Sequence, residues 1–147
     1  MKICTPIPEL LIDQFIALHF SASIPYVPLL TAGFPSPAAD FIDLEIDLGK
    51  ELIKNPSATF LGRVKGTSMV DVGISDGDLI IIDKSIKPET GQIAVCFLNG
   101  EFTVKKIRFV SNGCWLIPEN KDFKSIFVSP NDEFMIWGIV IHVIKSF

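Results

Sequence analysis

Charge is missing from this sequence where its composition says charge should be. Asp, Glu, Lys and Arg make up 20% of the 147 residues, yet none occurs among the 26 residues between Asp13 and Asp40. A charge-free run of that length is the first sign of a membrane span or a secretory signal. The same run holds Pro25, Pro28, Pro35 and Pro37. Proline removes a backbone donor and opposes helix, so four of them within 13 residues exclude a spanning helix, whose backbone must be satisfied internally. A signal peptide needs a basic start, and Lys2 is the only cation ahead of Glu9 and Asp13. The expectation is a protein of the cytoplasm with no membrane association.

Other absences narrow the chemistry. Three cysteines, Cys4, Cys96 and Cys114, form no C-x-x-C pair and no Cys/His ligand spacing. They point to buried thiols in a reducing compartment rather than to disulfides, zinc or any other metal. His19 and His142 sit in apolar runs with no Asp or Cys arranged around them. Triads assemble in space, so spacing alone does not decide, but burial habits favour a core or edge-strand role for His142. No G-x-S-x-G, phosphate-binding loop or G-x-G-x-x-G is present, so no cofactor is expected. The net charge is −4 and the pI about 5.1, and the densest cationic cluster is only Lys105, Lys106 and Arg108. Nucleic-acid binding draws on clustered cations, so direct contact with DNA or RNA is not expected and partners should be proteins.

Hydrophobic residues make up 48% of the chain, enough for one domain with a core of its own. Residues 9–20 (ELLIDQFIALHF) read as a short helix, and residues 21–40 as an extended, Pro- and Ser-rich arm. The stretch IDLGKELIKNP reads as a second short helix, with Asp47 as N-cap and Pro56 beyond its end. From Ser57 onward the runs ATFLGRVKG, DLIIIDKS, GQIAVCFLNG, EFTVKKIRFV, GCWLI and FMIWGIVIHVI all read as strands. They are punctuated by Asp76-Gly77, Asn99-Gly100 and Asn112-Gly113, of which Asn99-Gly100 is the strongest hairpin signal. The fold class is therefore mainly β: a compact, curled sheet or partly open barrel with an N-terminal arm and one or two short helices.

Two segments could carry chemistry. KGTSMVD (65–71) puts Ser68 after a strand and a glycine, where a tight turn can present its hydroxyl. The bland alternative is a turn serine followed by a core methionine. EFTVKKI (101–107) places two lysines mid-strand, and alternation forces one of them inward. Lys106 would share a face with Phe102 and Val104, and Lys105 with Glu101, Thr103 and Ile107, so periodicity leaves the choice open.

GFPSPAADF, DLGKELIKNPSATF, GTSM, GISDGDLIIID, GEFTVKKI and GIVIHVIK follow one another over about residues 29–147. In that order and spacing the chain resembles the UmuD family of self-cleaving Ser-Lys peptidases, accessory subunits of an error-prone DNA polymerase and relatives of LexA-type repressors. The resemblance implies a fold of the LexA C-terminal-domain type, Ser68 as nucleophile and Lys105 as general base. The peptide N–H groups of Thr67 and Ser68 would form the oxyanion site. The cut would fall between Ala32 and Gly33, dividing an arm of residues 1–32 from a catalytic and polymerase-accessory domain of 33–147 with a flexible lead-in to about 45. Implied partners are a second copy of the chain, a RecA filament on single-stranded DNA that stimulates cleavage, and a UmuC-type polymerase subunit. Two positions depart from the family pattern: Thr67 stands for a common acidic residue, and Val72 for a glycine.

The residue types suit that chemistry. Only about one free lysine in 2,500 is neutral at pH 7, and each pKa unit of depression represents about 1.4 kcal/mol. A lysine base must therefore be desolvated by apolar neighbours. Two rival readings share these residues, a fragment of a LexA-like repressor and a non-catalytic β interaction module. The first needs a DNA-reading domain ahead of the cut, where this chain has 32 residues with one lysine and no arginine. A membrane signal peptidase also uses Ser and Lys, but requires the span that the prolines oppose.

Overall fold

The computed structural model describes residues 16–17, 23–26, 32 and 45–147. Its main feature is an antiparallel sheet with strand order β1-β4-β5-β10-β6-β7-β8-β9. These strands are β1 (Ile16–Ala17), β4 (Thr59–Arg63), β5 (Leu79–Asp83), β6 (Ile93–Leu98), β7 (Glu101–Val110), β8 (Gly113–Ile117), β9 (Ile126–Val128) and β10 (Phe134–Ile144). β2 (Ser23–Pro25) and β3 (Glu45–Asp47) form a separate two-stranded ribbon. The expected mainly β class holds, and the sheet stays open, with β1 at one edge and β9 at the other.

Each expected strand from Ala58 onward is present, and β-branched and aromatic residues explain why. The β6–β7 hairpin turns through Asn99 (φ 47°) and Gly100 (φ 93°), the two positive values that a type I′ turn demands. The next hairpin differs from expectation. Val110 pairs with Gly113, so Ser111 and Asn112 make the turn and Gly113 is already strand. The Asp47 cap is also present: its carboxylate accepts from Lys50 N at 3.2 Å and opens helix α1 (Leu48–Leu52).

One expectation fails. Ile16 and Ala17 lie within the stretch read as a helix, but they form β1, antiparallel to β4 with Ile16 opposite Leu61 and Ala17 opposite Phe60. The edge of β4 offers unpaired N–H and C=O groups, and a short apolar segment satisfies its own backbone better there than in a marginal isolated helix. The rest of that stretch, with His19, lies outside the described residues, as does Cys4.

The core divides across the sheet at β6. Ala94 and Cys96 face one cluster, with Ile107, Cys114, Leu116, Val128 and Ile139. Val95 faces the other, with Met69, Ile74, Ile80, Ile82 and Trp137. β10 serves both because its register shifts between Ile136 and Gly138, so that Trp137 and Ile139, two residues apart, join different clusters. Glycine is required at that bulge: a Cβ on Gly138 would sit 2.6 Å from Ile82 Cγ2. Cys96 and Cys114 are free, buried thiols, and burial pushes Cys96 up to about 12. His142 is half-buried on β10 opposite Ile81.

Candidate active site

The loop joining β4 to β5 is drawn tight at its neck. Val64 N donates to Asp78 O and Gly77 N to Val64 O, both at 2.8 Å. Gly66 (φ 100°) adopts the left-handed region and donates to Asp76 Oδ1 at 2.6 Å. Met69 and Ile74 are almost fully buried and anchor the loop in the core, so Ser68 stands between a glycine turn and a fixed apolar plug. Met69 is thus the core methionine of the bland reading, and it also serves to present its neighbour. Val72 belongs to a 3-10 turn, Val70–Val72. The left-handed residue there is Gly73 (φ 82°), so a side chain at position 72 meets no backbone strain.

The register of β7 answers the question left open by alternation. Lys105 lies opposite Ala94 and on the face of Ile107, and it is only 8% exposed. Lys106 lies opposite Ile93 and Ile117, and its ammonium reaches Glu119 Oε1 at 2.6 Å. The small Ala94 lies across from the inward lysine, and among the described residues a carboxylate pairs only with the other. Burial pushes the Lys105 ammonium below the ordinary lysine value, and the neighbouring Cys96 opposes this in part. Of the ion pairs among the described residues, none involves Lys105.

Ser68 and Lys105, 37 residues apart in sequence, meet directly. Lys105 Nζ lies 2.9 Å from Ser68 Oγ, 2.8 Å from Thr103 Oγ1 and 3.0 Å from Val104 O. A neutral amine has two hydrogens and one lone pair. Val104 O can only accept, and the Thr103 hydroxyl can accept the second hydrogen. The lone pair is then left for the Ser68 hydroxyl, the geometry a general base needs. Among the described residues, no hydrogen bond takes the N–H groups of Thr67 or Ser68, which leaves both available to a developing oxyanion.

Ser68, Thr103, Val104 and Lys105 line a cleft of about 230 Å³. The lining includes Gly62 to Gly66, with the cations Arg63 and Lys65 among them, Phe102 to Lys105, and the apolar Met69, Ile80 and Val95. Ala32, on one side of the expected cut, is an exposed residue in a bend, while Gly33 lies outside the described residues. Among the described residues, no group of three His, Cys, Asp or Glu side chains could hold a metal ion, and no helix is long and apolar enough to cross a membrane.

Sequence reasoning placed Thr103 on the face of Lys105 without a role, and it missed Glu119 and Asn120. Glu119 N donates to Ser68 O at 2.8 Å and Asn120 Nδ2 to Thr67 O at 2.9 Å. Both contacts join residues more than 50 positions apart, and no local pattern marks them.

Comparison with known proteins gives a consistent picture. The sequence model of the Peptidase S24-like family matches residues 25–141. MucA of Salmonella typhimurium is 42% identical over 82% of this chain and 83% of its own length. SamA of S. typhimurium is 40% identical over 81% of this chain and 87% of its own. The LexA repressor of Bordetella avium is 35% identical over 84% of this chain but only 57% of its own.

Proposed function

The chain belongs to the Peptidase S24-like family, and we propose that it is a UmuD-like SOS mutagenesis protein that cuts its own N-terminal arm with a Ser68–Lys105 dyad. The observation carrying this reading is the 2.9 Å contact between Lys105 Nζ and Ser68 Oγ in a cleft that depresses the lysine pKa.

The reaction balances as an acyl transfer. Ser68 Oγ attacks the carbonyl carbon of Ala32 while its proton passes to Lys105 Nζ, and the oxyanion is held by the N–H groups of Thr67 and Ser68. The tetrahedral intermediate collapses, the Ala32–Gly33 bond breaks, and the proton moves from Nζ to the Gly33 amine. Water, deprotonated by the same lysine, then hydrolyses the Ser68 ester. The products are residues 1–32 and 33–147.

A tethered substrate has a high effective concentration, so control must come from how often the arm occupies the cleft. In this reading a RecA filament on single-stranded DNA favours the occupied pose. The shortened chain, as a homodimer in the cytoplasm, then acts with a UmuC-type subunit in translesion synthesis without itself gripping DNA. The 35% identity to a LexA repressor leaves the repressor fragment as the second reading.

Incubating the purified chain with RecA, single-stranded DNA and nucleotide, and separately at raised pH without RecA, tests the proposal by mass spectrometry. Fragment masses should correspond to cleavage after Ala32. Ser68→Ala should abolish both reactions. Lys105→Arg, which keeps the charge but cannot surrender it, should do the same at every pH. Efficient cleavage in either variant would overturn the assignment.

A further inference from the structure

The loop bearing Ser68 is gripped from outside by the two residues that follow Pro118 beyond the end of β8. Ile117 lies opposite Lys106 in the β7–β8 register, so the chain leaves the sheet beside that lysine. The Glu119 carboxylate accepts from Lys106 Nζ at 2.6 Å. Glu119 N donates to Ser68 O at 2.8 Å, and Asp71 N donates to Glu119 O at 2.9 Å. Asn120 Nδ2 donates to Thr67 O at 2.9 Å. The nucleophile loop and the strand of the base are therefore joined by a path separate from the Lys105–Ser68 bond.

We propose that Glu119 and Asn120 form a bracket of positioning residues for self-cleavage, setting the direction of the Ser68 peptide N–H. The reason lies in the planarity of the peptide unit. In a trans peptide the carbonyl of Thr67 and the N–H of Ser68 point in opposite directions from one rigid plane. Thr67 O accepts from Asn120 Nδ2 at 2.9 Å and, within its own turn, from Val70 N at 3.4 Å, so the N–H of Ser68 is turned away from both donors, as an oxyanion donor must be. Glu119 adds a second hold one residue on, and its ion pair to Lys106 fixes the bracket to the base strand. The inference rests on the reading of Ser68 as nucleophile and Lys105 as base.

Asn120 also has an ordinary local contact, since its Oδ1 accepts from Asp122 N at 3.0 Å in its own turn. Asn120→Asp keeps that acceptor and the side-chain size but removes the donor to Thr67 O, whereas Asn120→Ala removes both. The full uncut chain is followed after a jump to high pH, reading the plateau rate, which does not depend on where Lys105 titrates. Labelling of Ser68 by a small fluorophosphonate, which needs no arm in the cleft, is measured in parallel.

Both variants should lower the two plateau rates by roughly tenfold to a hundredfold, the range for misplaced reacting groups, with an unchanged melting temperature. If Asn120→Asp reacts at the wild-type plateau and only Asn120→Ala is slow, Asn120 serves its own turn and the bracket is refuted while the dyad stands. If the wild-type chain neither cleaves nor takes up the phosphonate, the nucleophile assignment falls and the bracket falls with it.

Discussion

Replacing Lys105 by methionine isolates the property on which the proposed chemistry depends, the free-energy cost of charging a buried amine. The comparison is made in a Ser68→Ala background so that no chain is cut. Lys105 is 8% exposed, has no ion-pair partner among the described residues, and titrates below an ordinary lysine because burial disfavours its charged form. Between that lowered value and about 10.4, the unfolded chain carries the proton and the folded chain does not. Unfolding then takes up a proton, so raising the pH disfavours unfolding and stabilises the lysine protein. The slope approaches about 1.4 kcal/mol per pH unit inside this window and vanishes on either side. Methionine cannot titrate, and the other ionisable groups are common to both chains. Urea denaturation of the two chains at intervals from pH 6 to 10.5 should give a stability difference, lysine minus methionine, that climbs with pH. A difference flat over the range would mean that Lys105 keeps its ordinary pKa, and one that only falls at the upper end that its pKa is raised. Either result refutes burial as the device that makes it a base.

Thr103→Val removes the acceptor of one amine hydrogen without changing side-chain volume. A single hydrogen bond of about 0.5–1.5 kcal/mol translates into a roughly two- to tenfold lower plateau rate of self-cleavage, and an unchanged rate would mean that the hydroxyl does not orient the lone pair. Gly138→Ala places a Cβ 2.6 Å from Ile82 Cγ2 and 3.4 Å from Asp83 O. Overpacking at the bulge should lower stability by about 1–3 kcal/mol in urea, and a variant as stable as wild type would show that β10 does not need glycine there.

Elements were legible in the sequence where a local cause was sufficient. The Asp47 cap, the Asn99-Gly100 turn and the β-branched and aromatic residues of β4 to β8 and β10 each act through residues within a few positions of one another. β9, β2 and β3 carry no such local signal. Each is three residues long, too short for a period of two to stand out, and each exists because a neighbouring edge offers hydrogen bonds. Ile16 and Ala17 pair with the edge of β4 for the same reason, against the helical reading of residues 9–20.

By itself, the sequence determined which side chains could do chemistry. GTSM and TVKKI hold a serine and two lysines, and the charge-free run around Ala32 is compatible with an apolar cleft. Alternation along β7 guaranteed that one lysine would point inward but treated Lys105 and Lys106 alike. Only the tertiary structure decided between them, because burial depends on what lies across the sheet: small Ala94 opposite one lysine, and Glu119 beside the other. Tertiary structure also decided that Asn120 grips Thr67, a contact between residues 53 positions apart. Propensity and periodicity act over a few residues, whereas desolvation and the aim of a peptide N–H are set by whichever distant segments the fold packs against them.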